Sequence, residues 1–275
     1  MNASYCTLTY AGSEFQIAIT DCAEAGYNGI EIYPKDWEWA LSHQSIDDLK
    51  KMVTTNGLKV SAVFGGCLSS VADIDQLMRA ADIGFHLNTE FVFFVAPGKH
   101  RKVPFDFVRA CKEAAVQLKV KNMAALLHNH AGTIVETSDD SVQLCEAVGE
   151  KNFGLCFDSV HYALFEDNLQ KSVERTKDFI KYVHLKDIKQ NRFTLARTKP
   201  AADWEWGQLD HLAREYTGLG EGVVDNRAVV KALRSVGYDG WWMIEIERQE
   251  YDRRIHASRN IKELKTYFTE GGKAG

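Results

Sequence analysis

The sequence predicts one (β/α)₈ TIM barrel of the α/β class, a single domain over residues 1–275, on three observations. Short apolar runs alternate with amphipathic segments from end to end, which is the pattern of repeated βα units and a parallel sheet. Eight such runs are present, which is the number that closes a barrel. The chain has 275 residues and 45% hydrophobic content, ordinary for a barrel of roughly 250 residues and sufficient to fill its core.

Cys6-Thr7-Leu8 opens the first strand, and Glu14 to Glu24 forms a helix that stops at Gly26. Gly29 to Tyr33 is the second strand, broken by Pro34, and Ser45 caps a helix through Thr55 that ends at Gly57. Leu58 to Phe64 is the third strand, closed by Gly65-Gly66, with a helix from Val71 to Ile83 behind it. Glu90 to Val95 is a fourth strand, apolar after its first residue, as suits a strand covered on both faces. Pro97 ends it, and Pro104 sits near the first turn of a helix through Lys119. Met123 to Leu127 is the fifth strand and Ser138 to Val148 its helix. Phe153 to Phe157 and Phe179 to Val183 are the sixth and seventh strands. A long connection from Ile188 to Val224 leads to Asp225, which caps a helix to Val236. Gly240 to Ile244 is the eighth strand, and a helix from Arg253 to Phe268 follows.

Composition narrows the function. A net charge of −5 argues against a nucleic-acid binder, which carries a basic face. That charge also disfavours an apurinic-site endonuclease, which would want more metal ligands as well. Six cysteines without any Cys-x-x-Cys pair read as reduced, buried thiols. No run approaches the ~20 apolar residues of a membrane span. Met1-Asn2-Ala3-Ser4-Tyr5 lacks a basic segment followed by an apolar one. The expectation is a cytoplasmic protein, a homo-oligomer with a small-molecule substrate, no nucleic-acid partner and no membrane partner.

The chemistry gathers at the carboxyl ends of the strands, where the βα loops of such a barrel converge. His128-Asn129-His130 delivers two imidazoles to one side of the fifth strand, because side chains alternate faces with period two. Strands six to eight repeat the pattern with Asp158/His161, His184/Asp187 and Glu245/Glu247. Buried ionisable groups are expensive unless paired or metal-bound, so four such endings in succession predict a metal site. Imidazole plus carboxylate without cysteine suits Mn²⁺ first, with Mg²⁺ or Co²⁺ next and Zn²⁺ less favoured. Such an ion polarises a carbonyl and stabilises the charge formed when a proton is removed beside it. A barrel that had kept the fold and lost the metal is the non-catalytic alternative.

Five stretches carry a resemblance to a known family: Gly29-Ile30-Glu31, Leu155 to His161, Val183 to Asp187, Gly218-Leu219-Gly220-Glu221-Gly222, and Gly237 to Glu245. Across nearly its whole length the chain resembles the sugar-phosphate isomerase/epimerase superfamily, the xylose-isomerase-like TIM barrels. The resemblance implies Asp158, His184 and Glu245 as metal ligands, with His161 and Lys186 near the substrate. His128 takes the first ligand position, where relatives usually carry Glu. Ketose 3-epimerases of this superfamily work with two metal-bound glutamates, and here only Glu245 remains of that pair.

The run from His128 to Thr137, with Trp241 to Glu247, looks like the inosose dehydratase branch. This implies a dehydratase or lyase that removes the proton alpha to the carbonyl of a keto-cyclitol or keto-sugar. The alternatives are a ketose isomerase or epimerase on the same metal, or a lyase of 3-keto-glycosides. His128 or His130, tuned to titrate near neutrality, serves as the base, and Glu245 completes the catalytic group. His128 is either ligand or base.

Weaker signals complete the site. Glu31 ends a strand and either faces the pocket or pairs with a neighbour, and Glu247 lies beside the substrate. Trp204 and Trp206 sit in the long connection and either close over a sugar face or pack on the rim. The Gly218-x-Gly-x-Gly run neither follows a strand nor opens a helix directly, so it makes a poor phosphate loop. His43, His86, His100 and His256 fall away from the strand ends and are expected on the surface or in packing.

Overall fold

The computed structural model describes residues 1–99, 107–190, 193, 216–247 and 252–269. The barrel strands are β1 (Asn2–Cys6), β2 (Gly29–Ile32), β3 (Lys59–Cys67), β4 (Phe91–Val95), β5 (Ala124–His128), β6 (Phe153–Asp158), β7 (Ile180–Leu185) and β10 (Trp241–Ile244). They close in the order β1-β10-β7-β6-β5-β4-β3-β2, every neighbour parallel. A two-residue ribbon outside the barrel pairs β8 (Asp187–Ile188) with β9 (Tyr216–Thr217), antiparallel.

Among the described residues the longer helical segments are α1 (Phe15–Ala25), α2 (Pro34–Leu41), α3 (Ile46–Thr55), α4 (Ile74–His86), α5 (Phe107–Lys119), α6 (Ser138–Val148), α7 (Ser159–Ala163), α8 (Leu169–Thr176), α9 (Asn226–Ser235) and α10 (Arg253–Thr269). Local chemistry explains their ends. Thr137 Oγ1 accepts from the Asp140 amide at 3.1 Å while the Asp140 carboxylate accepts from the Thr137 amide at 3.0 Å, a reciprocal cap that starts α6. Gly149, at φ 67°, then stops it in the left-handed conformation.

Three expectations shift. β1 is Asn2–Cys6, so Thr7 and Leu8 lie in the loop beyond it. Pro34 does not merely break β2: its fixed φ opens α2 as the first helical residue. Gly65 and Gly66 lie inside β3, at an irregularity in its pairing with β4. Helices α7 and α8, between β6 and β7, are additions to the expected elements.

Two apolar layers hold the barrel. The larger fills the space between sheet and helices, with Phe94, Leu127, Phe157, Val183 and Trp242 among its members. The smaller, with Cys6, Ala62, Phe93, Leu126, Cys156, Tyr182 and Met243, fills the barrel itself. A short hydroxyl chain joins Tyr182 to Ser61 at 2.7 Å and Ser61 to Ser4 at 2.6 Å, satisfying buried polar groups. A side chain at Gly29 would meet the Trp241 ring at 2.8 Å, so glycine is needed where that indole crosses the strand. Five cysteines are buried and Cys67 is half-buried, all as free thiols. His43 and His86 are exposed and His256 is buried, whereas His100 lies outside the described residues. Among the described residues no helix is long and apolar enough to cross a membrane.

The two ends of the chain are tied by charge. Arg253, at the start of α10, donates to Glu14 at 2.9 Å and covers the Tyr10 ring at 4.8 Å. The hydrogen bond from Arg253, with one from the Ala11 amide, pulls the Glu14 carboxyl from its ordinary 4.5 down to about 2. A depressed carboxyl contributes stability above its unfolded value and loses it as pH falls through the folded one. Thermal midpoints recorded from pH 5 to pH 2 are therefore expected to fall more steeply for the wild type than for Arg253→Gln.

Candidate metal centre and active site

The strand register delivers the predicted residues to one mouth. His128 is the last residue of β5 and lies opposite Cys156; Asp158 is the last of β6 and lies opposite His184; Glu245 follows β10. His128, Asp158, His184 and Glu245 each present a ligand atom, all within 4.8 Å of one another, and all four residues are buried. Asn129 fixes the β5–β6 junction by accepting from the Asp158 amide at 2.8 Å and donating to the Asp158 carbonyl at 3.2 Å.

The group is charge-dense. Lys186, fully buried, sets its ammonium 2.7 Å from Glu247, 3.0 Å from Glu245 and 3.7 Å from Asp158, and 4.5 Å above the Tyr216 ring. Burial alone would lower the Lys186 pKa, yet Glu245, Glu247 and Asp158 outweigh it and hold the pKa well above its usual range. Burial would raise Glu245, but Lys186 and His184 pull its carboxyl well below the ordinary range. Burial opposes protonation of His184 as well, and its neighbours Cys156, Glu31 and Glu245 override it, raising the imidazole.

The other three imidazoles go the opposite way. Burial, then His128 and Lys186, push His130 down to about 3. Burial also lowers His128 and His161. Burial therefore holds His130 well below the neutral range expected of it and moves His128 in the same direction, favouring the neutral imidazole in both. Their rings lie 5.5 Å apart, and His130 stacks on His161 at 3.9 Å. His130 Nδ1 faces the Ala131 carbonyl at 2.8 Å, which places its proton there and makes Nε2 the basic nitrogen.

The donor set fits a divalent cation. Among the described residues four acids, Glu31, Asp158, Glu245 and Glu247, face one ammonium, an anionic excess that a doubly charged ion would balance, with His184 giving up one ring proton to bind it. Cys156 also lies within ligand distance of His128 and His184. Burial pushes its thiol up to about 12, so it stays protonated and the fit rests on nitrogen and oxygen.

The sequence profile of the xylose isomerase-like TIM barrel family matches residues 19–268. The chain belongs to that family. Among relatives of this xylose isomerase-like barrel, an inosose dehydratase of Yersinia enterocolitica serotype O:8 is 29% identical over 282 residues, covering 90% of this chain and 89% of its own length. The probable 3-DHS dehydratase AsbF of Bacillus anthracis superposes with a TM-score of 0.78 at 17% identity, over 96% of this chain and 99% of that one. The IOLI protein, solved with a zinc atom, superposes at 0.74 and 18% identity, over 98% and 97%. At these identities the two superpositions speak for the fold alone.

Other parts of this xylose isomerase-like barrel were less legible. Glu136, buried, accepts from the Gly132 amide at 2.6 Å and pairs with Lys99, tying the loop that carries His130 to the loop after β4. It was visible only as part of the His128 to Thr137 run. Tyr216, which covers Lys186, falls inside the long connection and carried no signal. Trp204 and Trp206 lie outside the described residues.

The glycine run has an internal occupant. Asp187 accepts from the amides of Ile188 at 2.9 Å, Gly220 at 3.1 Å, Gly222 at 3.0 Å and Val224 at 3.0 Å. A methyl group at Gly222 would run into the Asp187 carboxylate and the Ile188 carbonyl. Replacing Asp187 with Ala removes an ionised acceptor from four amides. It is expected to cost on the order of 2–3 kcal/mol, a drop of roughly 5–10 °C in thermal midpoint, with faster proteolysis after residue 188.

Proposed function

We propose that this chain is a divalent-metal-dependent dehydratase, a carbon–oxygen lyase acting on a keto-cyclitol or keto-sugar. The observation that carries the reading is the cluster of His128, Asp158, His184 and Glu245 with the Lys186 ammonium and the neutral His130 beside it. Similarity to an inosose dehydratase over 90% of the chain supports the substrate class. The zinc atom bound to the IOLI protein supports a divalent ion in a barrel of this fold. Mn²⁺ is the ion we favour, ahead of Mg²⁺, Co²⁺ and Zn²⁺.

His128, Asp158, His184 and Glu245 would hold the ion. When bound, it supplies a Lewis acid beside the substrate carbonyl and a counter-charge for the oxygen. His130 Nε2 takes the proton alpha to the carbonyl, being neutral and held in one tautomer by Ala131. Lys186 and Glu247, 2.7 Å apart, face the hydroxyl beta to the carbonyl, and the proton between them leaves with it as water. His161, stacked on His130, lines the same wall.

Turnover of keto-inositols and 3-keto-sugars followed by mass is expected to show loss of one water. An unchanged mass would instead mark an isomerase or epimerase, and release of an aglycone a 3-keto-glycoside lyase. Metal analysis is expected to find a divalent ion whose removal by chelator abolishes activity. His130→Ala should keep the metal while kcat falls roughly 10²–10⁴-fold, whereas His128→Ala should lose the metal as well. Equal metal content and full activity in both variants would overturn the assignment.

A further inference from the structure

Among the described residues, one carboxylate that reaches the cluster comes from outside strands β5, β6, β7 and β10 and their ends. Glu31, on β2, is fully buried and reaches across the barrel to His184, its Oε2 2.9 Å from His184 Nε2. Its Oε1 accepts from the Tyr33 hydroxyl at 2.6 Å. The other ring nitrogen, His184 Nδ1, faces Glu245 at 2.8 Å and so points into the four-residue cluster. Glu31 is not one of the four, and the proposed reaction gives it no work.

We propose that Glu31, held by Tyr33, is a positioning residue that fixes His184 with its Nε2 protonated and its Nδ1 toward the ion, and thereby sets divalent-metal affinity. The inference rests on the reading of the four-residue cluster as a metal centre.

A buried imidazole offers two nitrogens, and which one ligates is decided by the hydrogen bond the other makes. A carboxylate at Nε2 leaves only Nδ1 with a lone pair and increases its basicity. The backbone is arranged to present that carboxylate. The pairing of β2 with β3 shifts register between Ile30 and Glu31, an irregularity of the kind that re-aims a side chain. The Glu31 carbonyl is pinned by the Thr7 amide at 3.2 Å and the Thr7 hydroxyl at 3.0 Å. The Tyr33 hydroxyl, itself buried, keeps the free end of the carboxylate from turning away.

The test is titration of Mn²⁺ and Zn²⁺ into metal-free wild type, Glu31→Gln and Tyr33→Phe, with thermal unfolding as the control for folding. Glu31→Gln is expected to weaken binding about 10–100-fold, and Tyr33→Phe to weaken it by a smaller factor in a protein that still folds. In the zinc-loaded wild type, nitrogen-15 spectra of the imidazoles should show His184 bound through Nδ1 with a slowly exchanging proton on Nε2. Ligation through Nε2, or affinities within twofold of wild type in both variants, would overturn this role and leave the metal centre standing. A wild type that takes up neither ion would overturn the metal centre and this role with it.

Discussion

A fully buried ammonium governs the architecture of the mouth. Lys186 cannot sit there without anions, and Glu245, Glu247 and Asp158 supply them from two other strands. Removing one partner of such a pair strands the other charge away from water, at a cost of about 3–5 kcal/mol. The ends of β6, β7 and β10 are thereby held to one another by electrostatics as well as by the sheet. The backbone of Lys186 is held too: its carbonyl accepts from Asn226 at 2.9 Å and from Ser159 at 3.2 Å. Among the described residues of the mouth the acids outnumber the cations, which favours further positive charge there.

Beneath this charged rim the barrel turns apolar. Phe93 meets the rings of His184 and His128 edge-on, at centroid separations of 5.3 Å and 6.0 Å. Leu126, Cys156, Tyr182 and Met243 pack the space below. A dry floor of this kind strengthens each interaction above it, since there is little water to screen the charges. It also accounts for the divergent imidazoles. His184, between two carboxylates, is drawn toward its protonated form, while His130 and His161, stacked together near Lys186, are driven toward the neutral one.

Much of this was legible in the amino-acid pattern, for physical reasons that differ from part to part. Periodicity and caps placed α6 at Ser138–Val148, because Thr137 and Asp140 form a reciprocal cap and Gly149 can turn left-handed. The residue types at four consecutive strand ends named the members of the cluster, since a parallel barrel must bring those ends together. Pro34 misled because a proline that ends a strand and one that begins a helix look alike in a short window. Helix α8 is strongly polar on one face and only eight residues long, too short for its period to stand out. The partners of the site residues were hidden for a different reason. Glu31 meets His184, Asp187 meets Gly222 and Tyr216 covers Lys186 only after the chain has closed, and no local pattern encodes those encounters.

The ribbon of β8 and β9 also bears on how such a barrel can diverge. Asp187 pairs with Thr217 and Ile188 with Tyr216, and the Asp187 carboxylate gathers the turn that follows. The two ends of the intervening stretch are thus fastened to each other, at the rim and beside Lys186. Loop closure depends only weakly on length once the ends are fixed. A change in the length of the stretch between Ile188 and Tyr216 would leave this fastening in place. The Asp187 carboxylate would then insulate the backbone beside Lys186 from such a change further along the chain.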